Sequence, residues 1–172
     1  APGLTSARER HGHRGAGRSG VAVDAAGDFV MAWTSFPGSE GGGIVTARRF
    51  DAAGNPRQVP GAAAGVTEFT VSSTDNRNRS GVAAAMDADG DFVVTWTNNG
   101  PAPAARQVYA RRFNAAGAPQ GGEFVVNTFD ADNQGYSSVT LDDDGDFVIA
   151  WLDYLQDGPG LGRGVYARRY GR

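Results

Sequence analysis

Apolar residues recur at every second position in three separate stretches of this chain. Phe29, Met31 and Trp33 share one phase of the first, Phe92, Val94 and Trp96 of the second, and Phe147, Ile149 and Trp151 of the third. A period of two is that of a β-strand, whose successive side chains point to opposite faces. The other phase is largely apolar too, as at Val93 and Thr95, so each sheet is expected to have neighbours on both faces. The three shared-phase sets are the predicted core. Ahead of each stretch stands a Gly turn flanked by Asp: Asp24 to Asp28, Asp87 to Asp91, and Asp142 to Asp146. Asp-Gly between apolar runs marks a tight hairpin, because Gly accepts the positive φ that such a turn needs. In the middle unit the pattern predicts strands over 81–86, 91–97, 107–113 and 123–127, with turns over 87–90 and 114–117. No stretch keeps the i, i+3, i+4 spacing of an amphipathic helix.

These strands belong to a repeat. "DAAGDFVMAW" (24–33), "DADGDFVVTW" (87–96) and "DDDGDFVIAW" (142–151) are copies of one segment. Each is followed by "TARRF", "YARRF" or "YARRY", ending at Phe50, Phe113 and Tyr170. The turn glycines Gly27, Gly90 and Gly145 are 63 and 55 residues apart, and the first copy carries the extra length around 59–65. The segments "TEFTVSS" (67–73) and "GEFVVNT" (122–128) close the first two copies, and the third has no counterpart. The expected fold class is all-β, with tandem four-stranded antiparallel units resembling β-propeller blades. The expected division is a basic N-terminal arm over 1–20, repeats over 21–79 and 80–135, and an incomplete repeat over 136–172.

The pattern "DADGDFVVTW…VYARRFNAAGAPQGGEFVVNT" resembles tandem repeats of large secreted or surface-attached bacterial proteins. The resemblance covers most of 17–172. It implies propeller-like blades, an extracellular or cell-surface setting, and no general enzymatic activity.

Composition narrows the classes further. All 16 basic residues are Arg, and there is no Cys. That removes disulfides, thiolate metal sites and Cys nucleophiles. The net charge is -3, yet Arg8, Arg10, Arg14 and Arg18 against Glu9 make residues 1–20 positive and leave the rest more acidic. An acidic body with a basic arm lacks the basic face of a nucleic-acid binder. No apolar run approaches the roughly 18 residues of a membrane span.

The candidate chemistry is scattered. Asp87, Asp89 and Asp91, and likewise Asp142, Asp144 and Asp146, crowd carboxylates into one turn each, and calcium takes six to eight such oxygens. The competing reading is that these Asp side chains bond their own turn backbone. The first turn has Ala26 where the others have Asp. The pairs Arg48-Arg49, Arg111-Arg112 and Arg168-Arg169 recur in every copy, which favours ion pairs between units over a unique site. The tryptophans read as core because they alternate with Phe and aliphatics. His11 and His13 have metal-binding spacing within the basic arm, and Asn78-Arg79-Ser80 matches a glycosylation sequon. Phe36, Tyr136 and Tyr154 are loop aromatics of the kind that stack on sugars, at positions read as non-equivalent between repeats. The expectation from sequence is a non-catalytic extracellular structural or interaction module, associating with further copies or with neighbouring domains. It needs no cofactor, with calcium as a candidate. The alternative is a carbohydrate-binding, lectin-like propeller module with a glycan as partner.

Overall fold

The computed structural model describes residues 19–36, 42–73, 78–100, 106–158 and 162–171. Among these, every regular element is a strand. In chain order they are β1 (Ser19–Val23), β2 (Phe29–Ser35), β3 (Ile44–Phe50), β4 (Glu68–Thr70), β5 (Asn78–Met86), β6 (Phe92–Asn99), β7 (Arg106–Phe113), β8 (Phe124–Val125), β9 (Gln134–Leu141), β10 (Phe147–Asp153) and β11 (Gly164–Tyr170).

They form three antiparallel sheets, β1-β2-β3-β4, β5-β6-β7-β8 and β9-β10-β11. The four-stranded unit is therefore present twice. The third sheet has three strands among the described residues. The strands β1, β5 and β9 open the sheets and pack beside one another. That approach is close: a Cβ added at Gly20 would lie 2.8 Å from the backbone N of Ala84.

The hairpin turns are built by the Asp residues at their start. Asp87 Oδ1 accepts hydrogen bonds from the backbone N–H of Asp89 (3.1 Å) and Asp91 (2.8 Å). Asp24 does the same for Ala26 and Asp28, and Asp142 accepts from the N–H of Asp146. The following Asp ties the turn to the next hairpin: Ala52 N–H donates to Asp28 at 2.9 Å and Ala115 N–H to Asp91 at 2.8 Å.

Two clusters make up the core, one at each junction between sheets. The first joins Val30, Ala32, Val45, Ala47 and Val71 to Val82, Phe92, Val94, Trp96 and Phe113. The second joins Val93, Val108, Ala110 and Val126 to Phe147, Ile149 and Trp151. The predicted core is thus correct for the second and third units. In the first it needs correcting: Trp33 is buried, but Phe29 and Met31 are only half-buried, while Val30 and Ala32 are fully buried. The second sheet covers the Val30 face, so the opposite phase of β2 carries the contact.

The paired arginines clamp the junctions. Arg111 donates to the carbonyl of Val71 (3.0 Å) and Arg168 to that of Val126 (3.2 Å), each reaching back to the preceding unit. The second arginine reaches forward: Arg49 donates to the Ala116 carbonyl, and Arg112 lies 5.7 Å from the Phe147 ring centroid. Carboxylate partners occur at Arg48, paired with Glu68, and at Arg169, paired with Asp146.

Candidate functional site

Opposite the Asp turns, the strand ends enclose a cavity of about 290 Å³. Its lining includes Phe36 after β2, Arg79 and Gly81 in β5, Thr97 in β6, Arg106 in β7, Gln134 and Tyr136 in β9, and Tyr154 after β10. All three sheets contribute, although these residues span more than a hundred positions of sequence. The volume falls near the lower end of small-ligand sites, about 300–1,000 Å³.

Gln134, in the lining, belongs to a buried polar relay behind it. Asn127 Nδ2 donates to Gln134 Oε1 at 3.2 Å, and Gln134 Nε2 donates to Asp153 Oδ2 at 2.8 Å. The other oxygen of Asp153 accepts the backbone N–H groups of Leu155 (3.0 Å) and Gln156 (2.7 Å). Gln134 and Asp153 are completely buried. Hydrogen bonds to a charged acceptor in such a setting are the strong ones, so the relay holds the strand ends that carry the rings. Arg79 is also buried, donating to the Gly43 carbonyl and to Ser73 Oγ, both at 2.9 Å. It anchors the end of the first unit to the wall of the cavity.

One wall residue is conformationally unusual. Tyr136 has φ 54°, the only non-Gly residue with positive φ among those described, and the residue is 52% exposed. It stands where the second unit has Gly81, which has φ 62°. Each is nine residues before its turn glycine, and both lie at a bulge where the register shifts. A left-handed conformation costs an L-residue about 1–2 kcal/mol. Strain of this kind gathers at ligand sites.

Sequence reasoning found the three aromatics but misjudged their relation. Phe36 and Tyr154 are equivalent, each nine residues past its turn glycine. The structure joins both to Tyr136. Arg79, Arg106 and Gln134 were missed as lining residues, and the available signal lay in how the copies differ. The scaffold positions repeat, whereas the cavity draws on positions that change, such as Arg79 against Gln134 and Gly81 against Tyr136.

The other candidates lie elsewhere. Asp87, Asp89, Asp91, Asp142, Asp144 and Asp146 occupy the opposite end, in turns whose backbone Asp87 and Asp142 bond. Among the described residues no group of three or more acidic or histidine side chains is arranged to hold one metal ion. Burial pushes the Asp87 carboxyl above its ordinary range, and the neighbouring Asp91 charge adds to this, against the hydrogen bonds from its turn. Trp33, Trp96 and Trp151 are buried. His11 and His13 lie outside the described residues. The sequon begins β5, with Asn78 exposed.

No protein-family model matches the chain, and no curated protein matches it. A solved structure does: the crystal structure of an endo-arabinase from Bacteroides thetaiotaomicron, with TM-score 0.53 and 10% sequence identity. The match covers 90% of this chain and 55% of that one. The fold is all-β, in antiparallel sheets, and resembles that of this propeller-type protein. The chain spans about half the length of the structure it matches. This likeness corrects the expectation that the chain is not an enzyme, because a glycoside hydrolase carries the same fold. A sequence whose copies share no conspicuous catalytic set is no ground for excluding activity.

Proposed function

We propose that this chain binds a carbohydrate polymer across the strand ends, in the cavity lined by Phe36, Tyr136 and Tyr154. The observation that carries the reading is the convergence of three aromatic side chains from the first and third units on one cavity whose lining also carries polar groups. Flat rings offer an apolar face to the C–H face of a sugar, and Tyr adds a polar tip that hydrogen-bonds hydroxyls. Arg106, Thr97 and Gln134 supply further polar groups in the lining. The likeness to an endo-arabinase supports a carbohydrate ligand and makes arabinan the first polymer to try. The setting we propose is extracellular or at the cell surface, on the strength of the resemblance of the repeats to those of secreted bacterial proteins.

The test is calorimetric titration with arabinan oligosaccharides and a panel of neutral glycans. Chromatography of the same mixtures reports whether chains are shortened. Binding that weakens at least tenfold, about 1.4 kcal/mol, in Tyr136→Ala and in Tyr154→Ala supports the site. Absence of binding across the panel, or equal affinity in both variants, removes the reading.

A further inference from the structure

The two end surfaces of the array repeat the surfaces that already meet inside it. At each internal junction a trailing face meets a leading face. The trailing face of the first unit is Val30, Ala32, Val45 and Ala47, and that of the second is Val93, Thr95, Val108 and Ala110; all are buried, most of them completely. Position for position, the third unit presents Val148, Ala150, Val165 and Ala167. There Val165 is 75% exposed, while Val45 and Val108 are 0% exposed.

The leading face shows the same contrast at the other end. Phe92 and Val94 are buried in the second unit, as are Phe147 and Ile149 in the third. Their counterparts Phe29 and Met31 are half-buried. Val21 and Val23 pair with Met31 and Phe29 on that face and are 66% and 60% exposed. On the leading face of the first unit Trp33 and Phe50 are buried, so the exposure there is concentrated at Val21 and Val23, and on the trailing face of the third unit at Val165. These positions, covered in the internal junctions, form a matched pair of surfaces and not scattered exposure.

We propose that the trailing face of the third unit docks on the leading face of the first unit in a second copy of this chain, and that two copies close a ring through two such junctions. The contact reproduces the internal ones. Arg169 stands in the place of Arg112, so its guanidinium meets the Phe29 ring of the second copy as Arg112 meets Phe147. The junction is head-to-tail, and such contacts give a closed ring only when the rotation per unit returns to the start. The described residues form three sheets, so two copies bring six blades together, within the four to eight at which propellers close.

Val165→Arg and Val21→Arg test this in the 172-residue chain. Both positions are exposed, and circular dichroism matching the parent confirms that each variant folds. Light scattering should give the mass of two chains for the parent and of one chain for either variant alone. Mixing the two variants should restore a two-chain species, because one intact trailing face meets one intact leading face. A merely destabilised variant would not be rescued in this way. A parent that stays monomeric at its highest attainable concentration overturns the proposal. So does a mass that grows without limit, a variant that keeps the two-chain mass, or a mixture that stays monomeric.

Discussion

Tyr136 pairs a strained backbone with an exposed ring, and the two have separate consequences. The second unit solves the same bulge with Gly81, so glycine is compatible with that backbone. Tyr136→Gly is therefore expected to leave stability unchanged or raise it by up to about 1 kcal/mol, since relief of strain is partly offset by a more flexible unfolded chain. The same change should weaken glycan binding at least tenfold. Urea titration beside calorimetry separates the effects, and a large loss of stability would show that the ring is structural. Asp87 is the second residue whose role can be isolated. Its pKa is raised in the fold, chiefly by burial. The folded state thus holds the proton more tightly than the unfolded one, and this group's contribution to stability falls as pH rises from below about 3.8 through the folded-state value. Asn114 builds an equivalent turn without charge, accepting from Ala116 (3.1 Å) and Ala118 (2.9 Å) N–H groups. Asp87→Asn should flatten this acidic limb without loss of stability at neutral pH. A limb unchanged in slope would assign it to other groups.

At the scale of the strand, the two phases of β6 have distinct neighbours. Phe92, Val94 and Trp96 face the first unit, and Val93 faces the third. Trp96 is completely buried and stacks on Tyr109 with centroids 6.1 Å apart. Trp96→Ala should destabilise by about 3–5 kcal/mol, the range for removing a large buried ring, read from the midpoint of denaturant unfolding. The sequence foresaw this because alternation in β6 is strict and both faces are covered. It foresaw the first unit less well: β2 has the same alternation, but Val30 and Ala32 carry the contact while Phe29 and Met31 lie toward the open end. Periodicity identifies two faces; it does not say which has a neighbour.

For the whole molecule, the units form an array with one site spread over it. The relay through Asn127, Gln134 and Asp153 ties the end of the second unit to the start and middle of the third. Asp153→Ala deprives the buried Gln134 of its acceptor, at about 1–3 kcal/mol for a buried group left unsatisfied, and releases the partly buried N–H groups of Leu155 and Gln156. The variant should lose stability and glycan affinity together, a joint effect that fluorescence-monitored melting and calorimetry would resolve. If two copies close a ring, the melting temperature of the parent should also rise with protein concentration, because association stabilises only the folded chain. A melting temperature independent of concentration would count against the ring.

The repeat, the Asp-Gly hairpins, the three-fold recurrence of the Arg pairs and the burial of the tryptophans are all written locally. Each depends on residues within one strand or turn, where a period of two and a turn's φ requirement are set by neighbours in sequence. The cavity is different. Phe36, Arg79, Gln134, Tyr136 and Tyr154 come from three sheets, and nothing in their spacing encodes their meeting. Only the stacking of one unit on the next, with β1, β5 and β9 side by side, brings those strand ends together. The left-handed backbone of Tyr136 was equally hidden, because a tyrosine takes that conformation only when surrounding contacts impose it. Which apolar face is buried against a neighbouring sheet was likewise decided by tertiary structure, since both phases of the central strands are largely apolar and, among the described residues, the second sheet packs against the other two.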